Sequence, residues 1–143
     1  GGFEQLIRQA SLHQLERAFA AAGLGGETTV RTKVRAARGH PAYLAWRREA
    51  AQGIAYAIAA ALAVIDFEEV VIDAMLDRED VAALAEEVRA ALARFDPTGI
   101  SPYTLVTGTI GASARSLGAA ILPLVRNFAP DQELLVKRTS AAA

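Results

Sequence analysis

A chain of 143 residues is long enough for one domain with a sizeable core, and 52% hydrophobic against 22% charged residues excludes a disordered chain. The net charge of −1 leaves no electrostatic footprint for nucleic acid. The absence of cysteine excludes disulfides, thiolate metal sites and a thiol nucleophile, and two histidines do not make a histidine-rich metal centre.

In chain order, Phe3 to Ala22 is an amphipathic helix. Leu6, Ile7, Ala10, Leu15, Ala18 and Phe19 line one side, and Ser11 offers a possible cap and break. Gly23 and Gly25-Gly26 end it. Thr29 to Arg38 reads as a short basic helix with Arg31, Lys33, Arg35 and Arg38, expected to be a solvated face rather than a nucleic-acid contact. Pro41 then sits at the start of a long helix running to Ile65. The second half, from Ile54, carries no charge. That pattern predicts burial on nearly all sides, with Ala51, Ala55, Ala59 and Ala63 as a stripe for close approach. Gly53 inside it implies tight packing, because glycine in an exposed helix costs about 1 kcal/mol relative to alanine. The run ends at Asp66, short of the roughly 20 apolar residues that span a bilayer. No signal peptide is recognisable, so a cytoplasmic location is expected.

Val70, Val71 and Ile72 follow as a β-branched strand of the kind covered on both faces. Asp77 or Asp80 caps the next helix, whose stripe is Val81, Leu84, Ala85, Val88, Leu92 and Phe95. Asp96-Pro97-Thr98-Gly99 is a turn. A second strand covers Tyr103 to Gly108, with Thr104 to Thr107 at its centre. The small-residue loop that follows, to Ser113, leads into a helix that contains Pro123, and Glu133 to Lys137 is a candidate last strand. Strand, helix and strand at this spacing imply a parallel pair. Two such strands usually belong to a larger sheet. That, the abrupt start at Gly1-Gly2 and the Thr139–Ala143 tail lead us to expect a piece of a longer protein.

Two stretches, AAQGIAYAIAAALAVIDFEEVVIDAML and GISPYTLVTGTIGASARSLGAAILPLVRNF, resemble the C-terminal part of the ROK family of repressors, open reading frames and sugar kinases, which includes the NagC/XylR-type transcriptional regulators. The first matches the family's long helix and following strand. The second matches a small-residue loop, with Ala114-Arg115 and then Gly118-Ala119-Ala120 in the last helix. Gly1-Gly2-Phe3-Glu4, followed by Ser11, is similar to the end of the family's zinc segment, with Gly2 where a cysteine ligand stands. The resemblance implies an α/β fold: the C-terminal portion of an actin/hexokinase-like (ribonuclease H-like) ATPase fold, helices packed on a small parallel sheet. The 143 residues would be a single domain, a fragment of the C-terminal lobe.

The resemblance also implies sites. Glu4 matches a sugar-binding glutamate, against the alternative of a solvated helix-start carboxylate. Asp73 and Ala74 stand where the family's kinases have Gly-Gly at the nucleotide. With Gly108 and Gly111 they would be a remnant of that site, the alternatives being that Asp73 caps the next turn and that the 108–113 loop is a simple tight turn. His13 and His40 fit surface or capping roles, and Tyr43 and Trp46 fit the core or an interface. The implied function is the effector-binding and oligomerisation part of a sugar-responsive regulator, a homodimer that takes a sugar or sugar phosphate and touches DNA only through a module outside these residues. It needs no cofactor or metal here and no membrane. The alternatives are an ATP-dependent hexose kinase of the same family, or a structural fragment without activity. The carboxylate at Asp73 favours the regulator, since it repels phosphate.

Overall fold

In the computed structural model, residues 5–128 are described. The chain divides into two units, residues 1–111 and 112–143. It is mixed α/β and mostly helical. The order is α1 (Leu6–Ala10), α2 (Leu12–Ala21), α3 (Val30–Ala36), α4 (Pro41–Leu62), β1 (Glu69–Ile72), α5 (Arg78–Leu92), β2 (Thr104–Thr107), one 3-10 turn (Gly111–Ser113) and α6 (Ala114–Phe128).

Local chemistry sets most of these boundaries. Ser11 does break the first helix: it is the N-cap of α2, and its hydroxyl accepts from the Gln14 N–H at 3.4 Å. Gly23, at φ +78°, lets the chain leave α2 in the left-handed region that other residues avoid. Thr29 caps α3. His40 caps α4, its Nδ1 accepting from Ala42 N–H at 3.2 Å, with Pro41 in the first turn. Asp96 closes the turn before β2 by accepting from Thr98 N–H and Oγ1.

β1 and β2 pair in parallel, Glu69 opposite Thr104 through Ile72 opposite Thr107. The core of the first unit is built from Leu15, Phe19, Val34, Tyr43, Trp46, Ala50, Ala51 and Ala55 of the helical side, closed by Ile72, Val81, Leu84, Ala85 and Val88. Helix α4 is its axis. It packs on α5, with its small residues Ala51 and Ala55 buried, and on α1 at Gly53. A Cβ there would run into the Gln9 side chain and come within 3.2 Å of Leu6 Cδ1, so glycine marks a close helix approach.

Several expectations need correction. The uncharged end of α4 is not enclosed on all sides. The helix stops at Leu62, Tyr56 and Ile65 are exposed, and Val64 is 83% exposed. An apolar sequence reports what a face prefers, and whether anything covers it depends on the neighbours. Strand β1 is covered on one face only, because Ile72 is buried while Val71 is 57% exposed. Leu6, Ile7 and Phe95 lie at the surface rather than in the buried stripes. Asp77 occupies the N-cap position of α5, but its side chain makes no capping bond.

In the second unit α6 carries Pro123 inside it, and Leu117, Ile121 and Leu122 are exposed. Glu4, the expected strand at 133–137 and the tail from 139 lie outside the described residues, as do the side chains of Arg115, Leu124, Val125 and Phe128.

Candidate functional site

The two parallel strands point their C-terminal ends at the Asp73–Ala74 turn and the 108–111 loop, the place where an α/β sheet presents ligands. Four of the five residues singled out in the sequence meet there. The Asp73 carboxylate accepts the Ala74 N–H through Oδ1 at 2.8 Å, and the N–H groups of Ile110 and Gly111 through Oδ2 at 3.1 and 2.8 Å. Gly108 N–H donates to Ile72 O at 2.7 Å, carrying the ladder one step beyond β2. Gly108 has to be glycine for a steric reason. An added Cβ would lie 2.6 Å from Asp73 Cβ and 2.7 Å from its Cγ and Oδ2. Gly111 turns the chain at φ +49° against Ala74 O. The loop's N–H groups are thus directed at an anion, and the anion in place is the protein's own carboxylate. Glu4, the fifth residue, is not among those described.

A second cluster was not foreseen as a unit. Arg31, Arg35 and Arg38 recur at helical spacing on α3 and just beyond it, and they converge on the start of α5. Arg31 Nε reaches Asp77 Oδ1 at 2.5 Å, and Arg35 Nη2 reaches Asp77 Oδ2 at 2.9 Å. Arg38 bonds Asp80 through Nε and Nη2, both at 3.0 Å, and pairs with Glu79 and Asp77 as well. The basic helix is a solvated face, with Arg31 and Arg35 exposed, and three of its four expected cations also pair with carboxylates across it. Hydrogen bonds from Arg35 and Arg31 hold the Asp77 carboxyl well down, at about 2. The carboxylates of Asp77, Glu79 and Asp80 come within 4.8 Å of one another, but the guanidinium groups neutralise them, so the cluster is an ion-pair clamp rather than a cation site.

Asp80 ties this clamp to the core. It is 3% exposed and also accepts from the hydroxyl of buried Tyr43 at 3.2 Å. Burial first, and then the Asp80 charge, push the Tyr43 phenol up to about 12. Tyr43 stacks on Trp46, ring centroids 6.1 Å apart, and carries the Arg47 guanidinium over its face at 5.4 Å. Arg47 in turn donates to Glu87 from Nε and Nη2 at 2.9 and 2.6 Å. The sequence carried a signal for this network: positives at i, i+4 and i+7 on one short helix, and acids at i and i+3 opening another. Nothing in one dimension says that the two helices meet.

The remaining feature is apolar. An open groove of about 310 Å³ runs between α4 and β1, lined by Leu6, Ile54, Ile58, Leu62, Phe67 and Val70 among others. On another side of α4 the rings of Tyr56 and Phe95 meet at the surface, centroids 6.4 Å apart, next to exposed Ala60 and Val64. No helix among the described residues is long and apolar enough to cross a membrane. In comparisons with known proteins, the chain matches no family model and no curated protein.

Proposed function

We propose that this chain is the effector-binding and oligomerisation part of a sugar-responsive regulator of the ROK, NagC/XylR type, built on the C-terminal portion of an actin/hexokinase-like lobe. It takes a sugar or sugar phosphate, works without a cofactor and is not itself an enzyme. The reading begins from the resemblance of its helix–strand and loop–helix stretches to that family. One observation carries it over the kinase alternative: the Asp73 carboxylate, not an open glycine pair, lies across the N–H groups of Ile110 and Gly111 at the strand ends. A nucleotide phosphate using those donors would have to displace an anion already bonded there, and would meet its charge at close range.

Self-association belongs to the same proposal. Tyr56, Ala60, Val64 and Phe95 form an exposed apolar surface on α4 and the α5 end, a feature that marks contact sites, and a two-fold dimer is its commonest solution. Titration calorimetry with Mg-ATP tests the choice between regulator and kinase. No heat of binding is expected from the protein as it stands. Saturable ATP binding, or ATP-dependent phosphorylation of a hexose, would overturn the regulator reading in favour of the kinase.

A further inference from the structure

Beside the exposed rings of Tyr56 and Phe95 the surface is concave and carries a charge. An open cleft of about 480 Å³ lies between the second half of α4 and the turn after α5, lined by both rings, by Asp96, Thr98, Gly99 and Ile100, and by alanines of α4. Small ligands bind in clefts of about 300–1,000 Å³. Tyr56 is 65% exposed and Phe95 38%, and their planes are inclined at 52°, so both present ring surface outward instead of stacking on each other. The Tyr56 hydroxyl has no partner among the described residues.

Asp96 decides what fits. Its Oδ1 accepts from Thr98 N–H at 3.0 Å and from the Thr98 hydroxyl at 2.6 Å, which leaves Oδ2 to accept from a ligand. The same two bonds, the hydroxyl first, hold the carboxyl below its ordinary range, so it is an anion at neutral pH. None of the residues lining the cleft is a cation. Apolar chain packed into the cleft would bury that charge unpaired, whereas hydroxyl donors satisfy it. Ring faces beside one fixed acceptor therefore select a ligand with an apolar face and hydroxyls at its edge. A pyranose has both. A phosphate on the sugar would bring a second negative charge to Asp96 with nothing in the lining to compensate it.

We propose that this cleft binds a neutral hexose or N-acetylhexosamine and excludes the sugar phosphates, the aromatic rings meeting the C–H face of the sugar and Asp96 accepting from its hydroxyls. This rests on the sugar-responsive reading and deepens it, giving the effector a site and a charge. Tyr56 and Phe95 also belong to the surface assigned to self-association. Sugar and second copy then compete for the same rings, and a bound sugar dissociates the dimer.

The test is calorimetric titration of the whole chain with glucose, mannose and N-acetylglucosamine, and with the 6-phosphate of each. At least one neutral sugar should saturate with a Kd on the order of 0.1–10 mM, and its 6-phosphate should bind roughly tenfold more weakly or worse. Tyr56→Ala should weaken the neutral sugar by roughly tenfold or more, with Trp46 emission showing the fold intact. Asp96→Asn keeps the Oδ1 acceptor for Thr98 and removes the charge. It should bring sugar and sugar phosphate to within about threefold of each other, a change that a merely structural Asp96 would not produce. Sedimentation velocity should show the dimer fraction falling as the sugar saturates. The proposal fails if no neutral sugar saturates by about 100 mM, if the 6-phosphate binds as well as the sugar, if Asp96→Asn leaves their ratio unchanged, or if a saturating sugar leaves the dimer intact. Sugar binding that Tyr56→Ala does not touch places the effector elsewhere and overturns this site, while the regulator reading stands. ATP binding overturns the regulator reading, and this site stands wherever neutral-sugar binding still depends on Tyr56 and Asp96.

Discussion

Replacing Asp80 by alanine is the sharpest test of how the first unit is held together. Asp80 is almost fully buried in the first turn of α5, where it accepts from Tyr43 and from Arg38. The variant leaves the fully buried Tyr43 hydroxyl without its acceptor, which costs about 1–3 kcal/mol. It also removes a carboxylate from a helix N-terminus, worth about 0.3–1 kcal/mol. Arg38 keeps a side-chain exposure of 35%, so water replaces its lost partner. The total is roughly 1.3–4 kcal/mol, and with a urea m-value of about 2 kcal/mol/M the midpoint should fall by ~0.6–2 M. Trp46 is the only tryptophan, is buried, and donates from Nε1 to Ser11 O at 3.2 Å, so its emission reports the transition. Tyr43→Phe in the Asp80→Ala background removes the orphaned hydroxyl and should return about 1–2 kcal/mol. A midpoint shift below ~0.3 M, or no rescue by the second substitution, would refute the argument that the buried Tyr43–Asp80 bond stabilises this unit.

Three further outcomes are expected. The Tyr43 phenol is raised to about 12 from its ordinary value of 10.0, so the native state favours its neutral form. The stability this contributes is intact below pH 10 and is lost as pH rises from 10 towards 12. The urea midpoint should drop across that interval, and less steeply in Tyr43→Phe. Asp77 is lowered to about 2 from 3.8, so its contribution is present above pH 3.8 and lost as the pH falls from there towards 2. Circular dichroism in acid should show this loss, flattened when Arg31 and Arg35 are both changed to glutamine. Gly108→Ala forces the Asp73 carboxylate off the Ile110 and Gly111 N–H groups and should destabilise by about 1–3 kcal/mol. Adding Asp73→Ala should recover part of it, and a neutral single variant would show that the loop is slack.

The sequence by itself determined the local events. The caps at Ser11 and His40, the turns at Gly23 and Asp96–Gly99 and the two strands follow from residue types acting within a few positions of one another, and the parallel pairing follows from the strand–helix–strand order. The site at Asp73 was half legible. A carboxylate at a strand end and a small-residue loop are visible in one dimension, and that the first fills the second is not. Tertiary structure alone decided the rest: the arginines of α3 meeting Asp77 and Asp80, the hydroxyl of Tyr43 on a buried carboxylate, and an apolar helix end and strand face left bare. The physical reason is range. Capping and turn chemistry act between neighbours along the chain, whereas ion pairs and burial depend on which helix lies alongside, and partners some 40 residues apart leave no periodicity to read.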